Sequence, residues 1–215
     1  MSATPPVAKR VPKTDVVHGD VRVDDYFWMR DRDDPDVTAY LTAENAYTDA
    51  MMKPTEGFQG SLYAEMLARI KEDDQTVPYR RRGFFYYSRT EKGKQYPIYC
   101  RKAGGLDAPE QVMLDLNALA VGHPFLALGA ASVSDDGRLL AYTTDLTGFR
   151  EYTLHVKDLE TGALRSERVE KVSAVTWAAD GETLFYVTED EAKRPYRFHR
   201  QRLGAAVADL LYEET

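Results

Sequence analysis

The sequence holds one cysteine in 215 residues, no glycine-flanked serine of the Gly-x-Ser-x-Gly type, and no apolar run near the roughly 18 residues that cross a bilayer. One thiol excludes an intramolecular disulfide, and Cys100, set in the aromatic run Tyr96-Pro97-Ile98-Tyr99-Cys100, reads as a half-buried strand residue. The opening Met1-Ser2-Ala3-Thr4-Pro5-Pro6 has no basic region followed by an apolar stretch and no cleavage-site pattern, so the expected location is the cytoplasm. Positive charge is also short: 28 Lys and Arg stand against 35 Asp and Glu, and the net charge of −7 argues against a general attraction to nucleic acid or anionic membranes. Arg80-Arg81-Arg82 is the only local basic run, and it reads as a solvated turn before a strand.

Catalytic and metal chemistry is missing in the same way. Ser132 and Ser134 flank Asp135-Asp136-Gly137, a turn former, and lack the small-residue setting of a strained nucleophile elbow. His18, His123, His155 and His199 lie far apart, without the three- or four-residue spacing to an acidic neighbour that builds a zinc site. Asp33, Asp34 and Asp36, and again Glu72, Asp73 and Asp74, are carboxylate clusters without the spaced acceptors, glycine and final glutamate of a calcium loop. No glycine-rich phosphate loop occurs. The expectation is a chain with no catalytic residue, no metal ligand and no cofactor site.

What is present is 43% hydrophobic residues, 29% charged residues and 14 tyrosines, a level ordinary for a sheet-rich protein and high for a helical bundle. The first 20 or so residues carry Pro5, Pro6 and Pro12 and no apolar periodicity, which predicts an extended arm lying on a partner surface. Asp33-Asp34-Pro35 is a helix start, with an aspartate at the cap and proline at the first helical position. Val37, Tyr40, Leu41, Tyr47, Ala50 and Met51 then recur at helical steps, Lys53-Pro54 ends the helix, and Gly57 and Gly60 read as a linker. Leu62, Met66, Leu67 and Ile70 mark a second helix running to Lys71. Two helices and an arm cannot bury their apolar faces on one another, so this region is expected to dock on something larger.

From Thr76 the period falls from about 3.6 to 2. Three segments align: Gly83-Phe84-Phe85-Tyr86-Tyr87-Ser88 with Tyr96-Pro97-Ile98-Tyr99, Leu139-Leu140-Ala141-Tyr142-Thr143 with Tyr152-Thr153-Leu154-His155, and Thr183-Leu184-Phe185-Tyr186-Val187 with Tyr196-Arg197-Phe198-His199. The second and third follow matching turns, Ser134-Asp135-Asp136-Gly137 and Ala178-Ala179-Asp180-Gly181, and Tyr99, His155 and His199 fall at one repeat position. A period between about 40 and 45 residues, filled by short strands, is the mark of propeller blades. The reading is therefore mainly β with an N-terminal helical segment, residues 1–75, and a partial β-propeller of about three blades, residues 76–215, with an extra segment around Leu114 to Leu128. Three blades cannot close a ring, since propellers have typically 4 to 8, and the expected outcome is an open edge.

A resemblance covers almost the whole chain. Pro5-Pro6-Val7-Ala8-Lys9, His18-Gly19-Asp20, Asp24-Asp25-Tyr26-Phe27-Trp28-Met29-Arg30-Asp31 and Tyr40-Leu41-Thr42-Ala43-Glu44-Asn45-Ala46-Tyr47-Thr48 are similar to the amino-terminal segment of the oligopeptidase B group in the prolyl oligopeptidase family of serine peptidases. Ile70-Lys71-Glu72-Asp73-Asp74, Gly93-Lys94-Gln95-Tyr96-Pro97-Ile98-Tyr99-Cys100-Arg101 and Thr147-Gly148-Phe149-Arg150-Glu151-Tyr152-Thr153-Leu154 follow in family order. The resemblance implies a seven-bladed propeller capping an α/β-hydrolase domain, admission of short peptides only, cleavage after Arg or Lys, and a Ser, Asp, His triad in the carboxy-terminal third. It implies that the arm and helices, with Trp28, Tyr40 and Tyr47, pack on that hydrolase domain, which this sequence does not contain. The chain alone is then expected to be inactive.

Within the chain, Arg150 and Glu151 lie in a loop between two strands of the second blade and are the candidate contact to the missing domain. The competing reading of that pair is a surface ion pair worth under about 1 kcal/mol. A different functional class also fits the sequence: a non-catalytic, propeller-like binding module that completes itself by association with another copy.

Overall fold

The computed structural model describes residues 4–214. The chain divides into two compact units, Met1–Ile70 and Lys71–Thr215.

In the first unit, strands β1 (Lys13–Val17) and β2 (Asp20–Asp24) pair antiparallel from Lys13↔Asp24 to Val17↔Asp20. Both turn residues between them have positive φ, 52° at His18 and 84° at Gly19, the primed hairpin geometry that matches strand twist. The expected arm is thus partly a hairpin. All ten strand residues are exposed, so no inside-outside alternation marks them in the sequence. A single 3₁₀ turn, Phe27–Arg30, leads to helix α1 (Pro35–Met52), which starts where the cap signal put it: Asp34 accepts a 2.8 Å bond from the Asp36 amide, and Pro35 holds the first helical position.

The predicted glycine linker is corrected. One 3₁₀ turn, Lys53–Thr55, runs directly into helix α2 (Glu56–Ala68), so Gly57 and Gly60 are helical. Glycine costs a helix about 1 kcal/mol relative to alanine. Here the Thr55 hydroxyl bridges the join, donating to the Met52 carbonyl at 2.7 Å and accepting from Gln59 at 2.7 Å. Between them the two helices bury only Val37, while Phe58, Tyr63, Met66 and Ile70 stay exposed. No helix among the described residues is long and apolar enough to cross a membrane.

The second unit is three four-stranded antiparallel meanders. Blade 1 comprises β3 (Tyr79–Arg81), β4 (Phe84–Arg89), β5 (Ile98–Ala103) and β6 (Glu110–Asp115). Blade 2 comprises β7 (Ala127–Val133), β8 (Leu139–Asp145), β9 (Thr153–Asp158) and β10 (Leu164–Val169). Blade 3 comprises β11 (Val172–Trp177), β12 (Thr183–Glu189), β13 (Pro195–Arg202) and β14 (Asp209–Glu213). The first strands of blades 2 and 3, β7 and β11, pack together, as inner strands around an axis do. These sheets form a partial propeller that does not close. The extra segment near Leu114–Leu128 is the connection from blade 1 to blade 2 and carries the short helix α3 (Leu116–Leu119), capped by the Asp115 carboxylate.

The two Asp-Gly turns are the same device. Gly137 and Gly181 take φ of 78° and 69° and return hydrogen bonds to Ser134 and Ala178 at 2.9 and 3.2 Å. Each joins the first strand of its blade to the second. Blade 1 makes that connection with the tighter pair Arg82-Gly83, again both at positive φ.

Strand β8 explains how the blades hold together, because every one of its seven residues is buried. Alternate side chains leave it in opposite directions. Leu140 and Tyr142 join Tyr86, Met113, Leu114, Leu116, Leu126 and Leu159 between blades 1 and 2, and Leu139 and Ala141 join Leu154, Val156, Val172, Leu184 and Tyr186 between blades 2 and 3. Polar pins add direction to these layers. Arg101, buried with 3% exposure, donates to the Gly137 carbonyl and lies over the Phe84 ring at 4.1 Å, Lys157 reaches the Met113 carbonyl at 2.9 Å, and the Trp177 indole donates to the Ser132 carbonyl at 2.9 Å.

Candidate functional site

The loop from β8 to β9 carries the candidate residues Arg150 and Glu151, and Asp145 at the end of β8 builds it. Asp145 is 1% exposed; one carboxylate oxygen accepts from the Thr147 amide (2.8 Å) and hydroxyl (2.7 Å), and the other from the Arg150 amide (2.8 Å). Burial pushes this carboxyl up, but the donors around it outweigh burial and hold it below the usual carboxylate range. That clamp holds Arg150 in the left-handed region at φ 61°, a backbone state a non-glycine residue enters at a cost of about 1–2 kcal/mol.

The side chains of this loop divide. Phe149 and Arg150 are exposed, and the Arg150 guanidinium has no ion pair among the described residues. Glu151 instead lies 4.0 Å from Lys193 in the β12–β13 loop of blade 3, and Lys193 also sits 5.9 Å from the Phe149 ring. Arg150 and Glu151 are therefore not a pair with each other: Glu151 ties two neighbouring blade loops together, and Arg150 is left to solvent.

Beneath the loop, Thr144, Thr147, Glu151, His155, Arg168 and Lys171 line a cleft without a serine or cysteine. His155 Nε2 lies 3.3 Å from the Thr144 hydroxyl, and its ring packs tilted on Tyr142 at 5.4 Å. His199 repeats this in blade 3, 3.1 Å from Thr188 and stacked on Tyr186 at 5.1 Å. Burial first, and then Arg168 or Arg197, pushes each imidazole down and keeps it neutral near pH 7. The repeat equivalence of these histidines holds, but Tyr99 is not their counterpart in blade 1. The strand pairs Tyr142↔His155 and Tyr186↔His199 match Tyr87↔Cys100, which has the same sequence separation, while Tyr99 pairs with Ser88.

Several of the other candidates have structural partners. Ser134 accepts from the Leu139 amide and donates to Asp136 inside its turn, Asp73 caps the Lys92 amide at 2.7 Å, and Asp74 pairs with Lys71 at 2.7 Å. Arg80 and Arg81 belong to β3 rather than to a turn, and Arg82 reaches Asp135 of blade 2 at 2.8 Å. No group of three His, Cys, Asp or Glu side chains that could hold a metal occurs among the described residues.

A network joining β4 to β6 in blade 1 has no signature in the sequence pattern. Tyr87 donates to Glu110 at 2.5 Å, Arg89 meets both oxygens of Glu110 at 3.0–3.1 Å, and Glu91 links Arg89 to Lys94. Burial pushes Glu110 up, yet Arg89 and Tyr87 outweigh it and the net shift is downward. Cys100, fully buried beside this network, is pushed up to about 11, chiefly by burial, and is therefore a thiol rather than a thiolate at neutral pH. The residues were legible as strand residues; their convergence depends on the pairing of β4, β5 and β6.

Residues 5–215 match the family model described as prolyl oligopeptidase, N-terminal beta-propeller domain. The chain is 43% identical to dipeptidyl aminopeptidase BI of Pseudoxanthomonas mexicana, covering 99% of this chain and 32% of that one, and 41% identical to protease 2 of Moraxella lacunata, covering 97% and 32%. Among solved structures, oligopeptidase B from Leishmania major superposes with a TM-score of 0.84 at 32% identity, covering 99% of this chain and 33% of that one. The chain spans about a third of the length of the curated relatives it matches.

Proposed function

This chain belongs to the prolyl oligopeptidase N-terminal β-propeller family, and from that premise we propose that it supplies the opening blades and docking segment of a cytoplasmic serine oligopeptidase, whose chemistry resides in a hydrolase domain beyond these residues. In the complete protein the propeller gates access, so that short peptides reach the active site and folded proteins do not. Residues 1–75 form the docking segment and 76–215 the propeller part. Phe58, Tyr63, Met66 and Ile70 supply the apolar face that the hydrolase domain covers, and the Arg150–Glu151 loop contacts the same domain through the unpaired guanidinium of Arg150. Cleavage follows Arg or Lys, as in the oligopeptidase B group.

The observation that carries this reading is the bare outer face of blade 3. Phe185 and Phe198 stack there at 5.7 Å, with Phe198 36% exposed, at the positions where blade 2 has Ala141 and Leu154 covered to 0–1% exposure by blade 3. A face of this composition is built to receive another blade. Reading the gene past the Thr215 codon tests it: further blade repeats and a Gly-x-Ser-x-Gly elbow are expected, and an unrelated downstream domain would refute the reading. Because the nucleophile, base and oxyanion donors are proposed to belong to the hydrolase domain, residues 1–215 by themselves are expected to show no hydrolysis of an Arg-containing peptide.

The name of the 43% identical relative, dipeptidyl aminopeptidase BI, favours a second reading of the complete protein, removal of dipeptides from free amino termini. Matched peptides with free and blocked amino termini separate the two. Cleavage of both marks an oligopeptidase, and cleavage of the free peptide alone marks a dipeptidyl aminopeptidase.

A further inference from the structure

Blade 1 has a short first strand. β3 spans three residues, against seven in β7 and six in β11. Its ladder with β4, Tyr79↔Tyr86, Arg80↔Phe85 and Arg81↔Phe84, is interrupted at Val77-Pro78 and resumes where the Thr76 amide donates to the Ser88 carbonyl at 2.9 Å and Gln75 bridges Arg89. Beside this strand lies a cavity of about 170 Å³ lined by residues of blades 1 and 2. Its lining grades from buried to open: Tyr86, Met113 and Leu140 are 3–7% exposed, whereas Tyr79, Arg81 and Ala131 are exposed.

Size and charge together specify a ligand. An apolar cavity of about 150 Å³ holds a benzene ring, so this one accommodates a single six-membered ring and little more. The Tyr79 and Tyr86 rings, stacked at 5.6 Å, offer an aromatic wall, and the Met113 thioether offers a polarizable contact for a ring. Arg81 is the only charged residue in the lining, and no acidic side chain opposes it there. Arg81 makes one long ion pair, to Asp135 Oδ1 at 3.7 Å, while Arg82 holds Asp135 Oδ2 at 2.8 Å. No hydrogen bond to another described residue engages the Arg81 guanidinium, so a ligand carboxylate can compete with that long pair for its N–H fork.

We propose that this inter-blade cavity binds a small aromatic monocarboxylate, with its ring between the tyrosine wall and Met113 and its carboxylate on Arg81. The site lies wholly within this chain and does not depend on the peptidase reading.

Titration of the full chain with 3-phenylpropionate, followed through the Met113 methyl resonance, tests it, with 3-phenylpropan-1-ol as the neutral probe. The acid is expected to bind about tenfold tighter than the alcohol, the scale of one charge-assisted contact. Arg81→Gln, at an exposed position, should erase that preference and leave the affinity for the alcohol unchanged. Ala131→Leu should abolish binding of both probes while the circular dichroism is retained. No shift at Met113 with either probe, an acid preference that survives Arg81→Gln, or undiminished binding to folded Ala131→Leu would each overturn the proposal. Should Ala131→Leu not fold, the Arg81→Gln comparison decides alone.

Discussion

Blade 2 buries both faces of its sheet, whereas blade 3, built from the same strand pattern, buries one. Leu154 and Val156 in β9 are at 1% and 0% exposure, and their repeat counterparts in β13 are Phe198, at 36%, and exposed Arg200. Strand pattern alone does not make a core, because a sheet is complete only when something covers its second face. The helical unit teaches the same lesson in another geometry: α1 and α2 carry many apolar residues yet bury only Val37.

Substitution at matched positions should break this symmetry most visibly. Leu154→Ala is expected to cost about 3 kcal/mol, the scale of a buried leucine truncation, and Phe198→Ala about 1 kcal/mol, the scale of one aromatic pair. Urea unfolding of the full chain measures both, and equal losses would mean that blade 3 is as well covered as blade 2.

The matched turn glycines give the next largest contrast. A Cβ at Gly137 would sit 2.6 Å from Phe84 Cε2, while one at Gly181 meets nothing nearer than 3.7 Å. Both have positive φ, so Gly181→Ala should cost about 1–2 kcal/mol and Gly137→Ala about 2–4 kcal/mol, because overpacking adds to backbone strain. Unfolding midpoints in that order are expected.

Asp145→Asn should lose about 1–3 kcal/mol, since the new amide would face the Arg150 N–H with a donor. Because the folded carboxyl is held below its unfolded value, its contribution is present above the unfolded pKa and disappears as the pH falls through the folded one. Acid titration of stability should accordingly be shallower in Asp145→Asn than in the parent.

The smallest effect concerns His155 and His199. Both folded pKa values are depressed, so the unfolded chain binds protons first, and stability should fall as the pH drops below the ordinary histidine value near about 6.5. Replacement of both by glutamine should flatten the urea midpoint between pH 7.5 and 5.5; an unchanged slope would place the titrating groups elsewhere.

Much of the propeller part was legible because repetition reports geometry directly. The Asp-Gly turns, the tyrosine-led strand pairs and the Asp34-Pro35 helix start all encode local backbone states. Other features depend on partners distant in sequence. The His18-Gly19 hairpin has no buried face to pattern it, and Gly57 and Gly60 look like breakers until the Thr55 bridge is seen. Sequence spacing aligns Tyr99 with His155, and only the pairing of β4 with β5 shows that Cys100 holds that place. The place of Arg150 and Glu151 between two strands of blade 2 was legible in the sequence, but the division of Arg150 from Glu151 required Lys193, which is contributed by the next blade.

Native-state hydrogen exchange, resolved by strand, tests the central claim most directly. The account predicts the slowest exchange in β8 and β9, closed in by blades on both sides, and markedly faster exchange in β13 and β14 at the uncovered rim. Uniform protection across the three blades, or slowest exchange in β13 and β14, would contradict it.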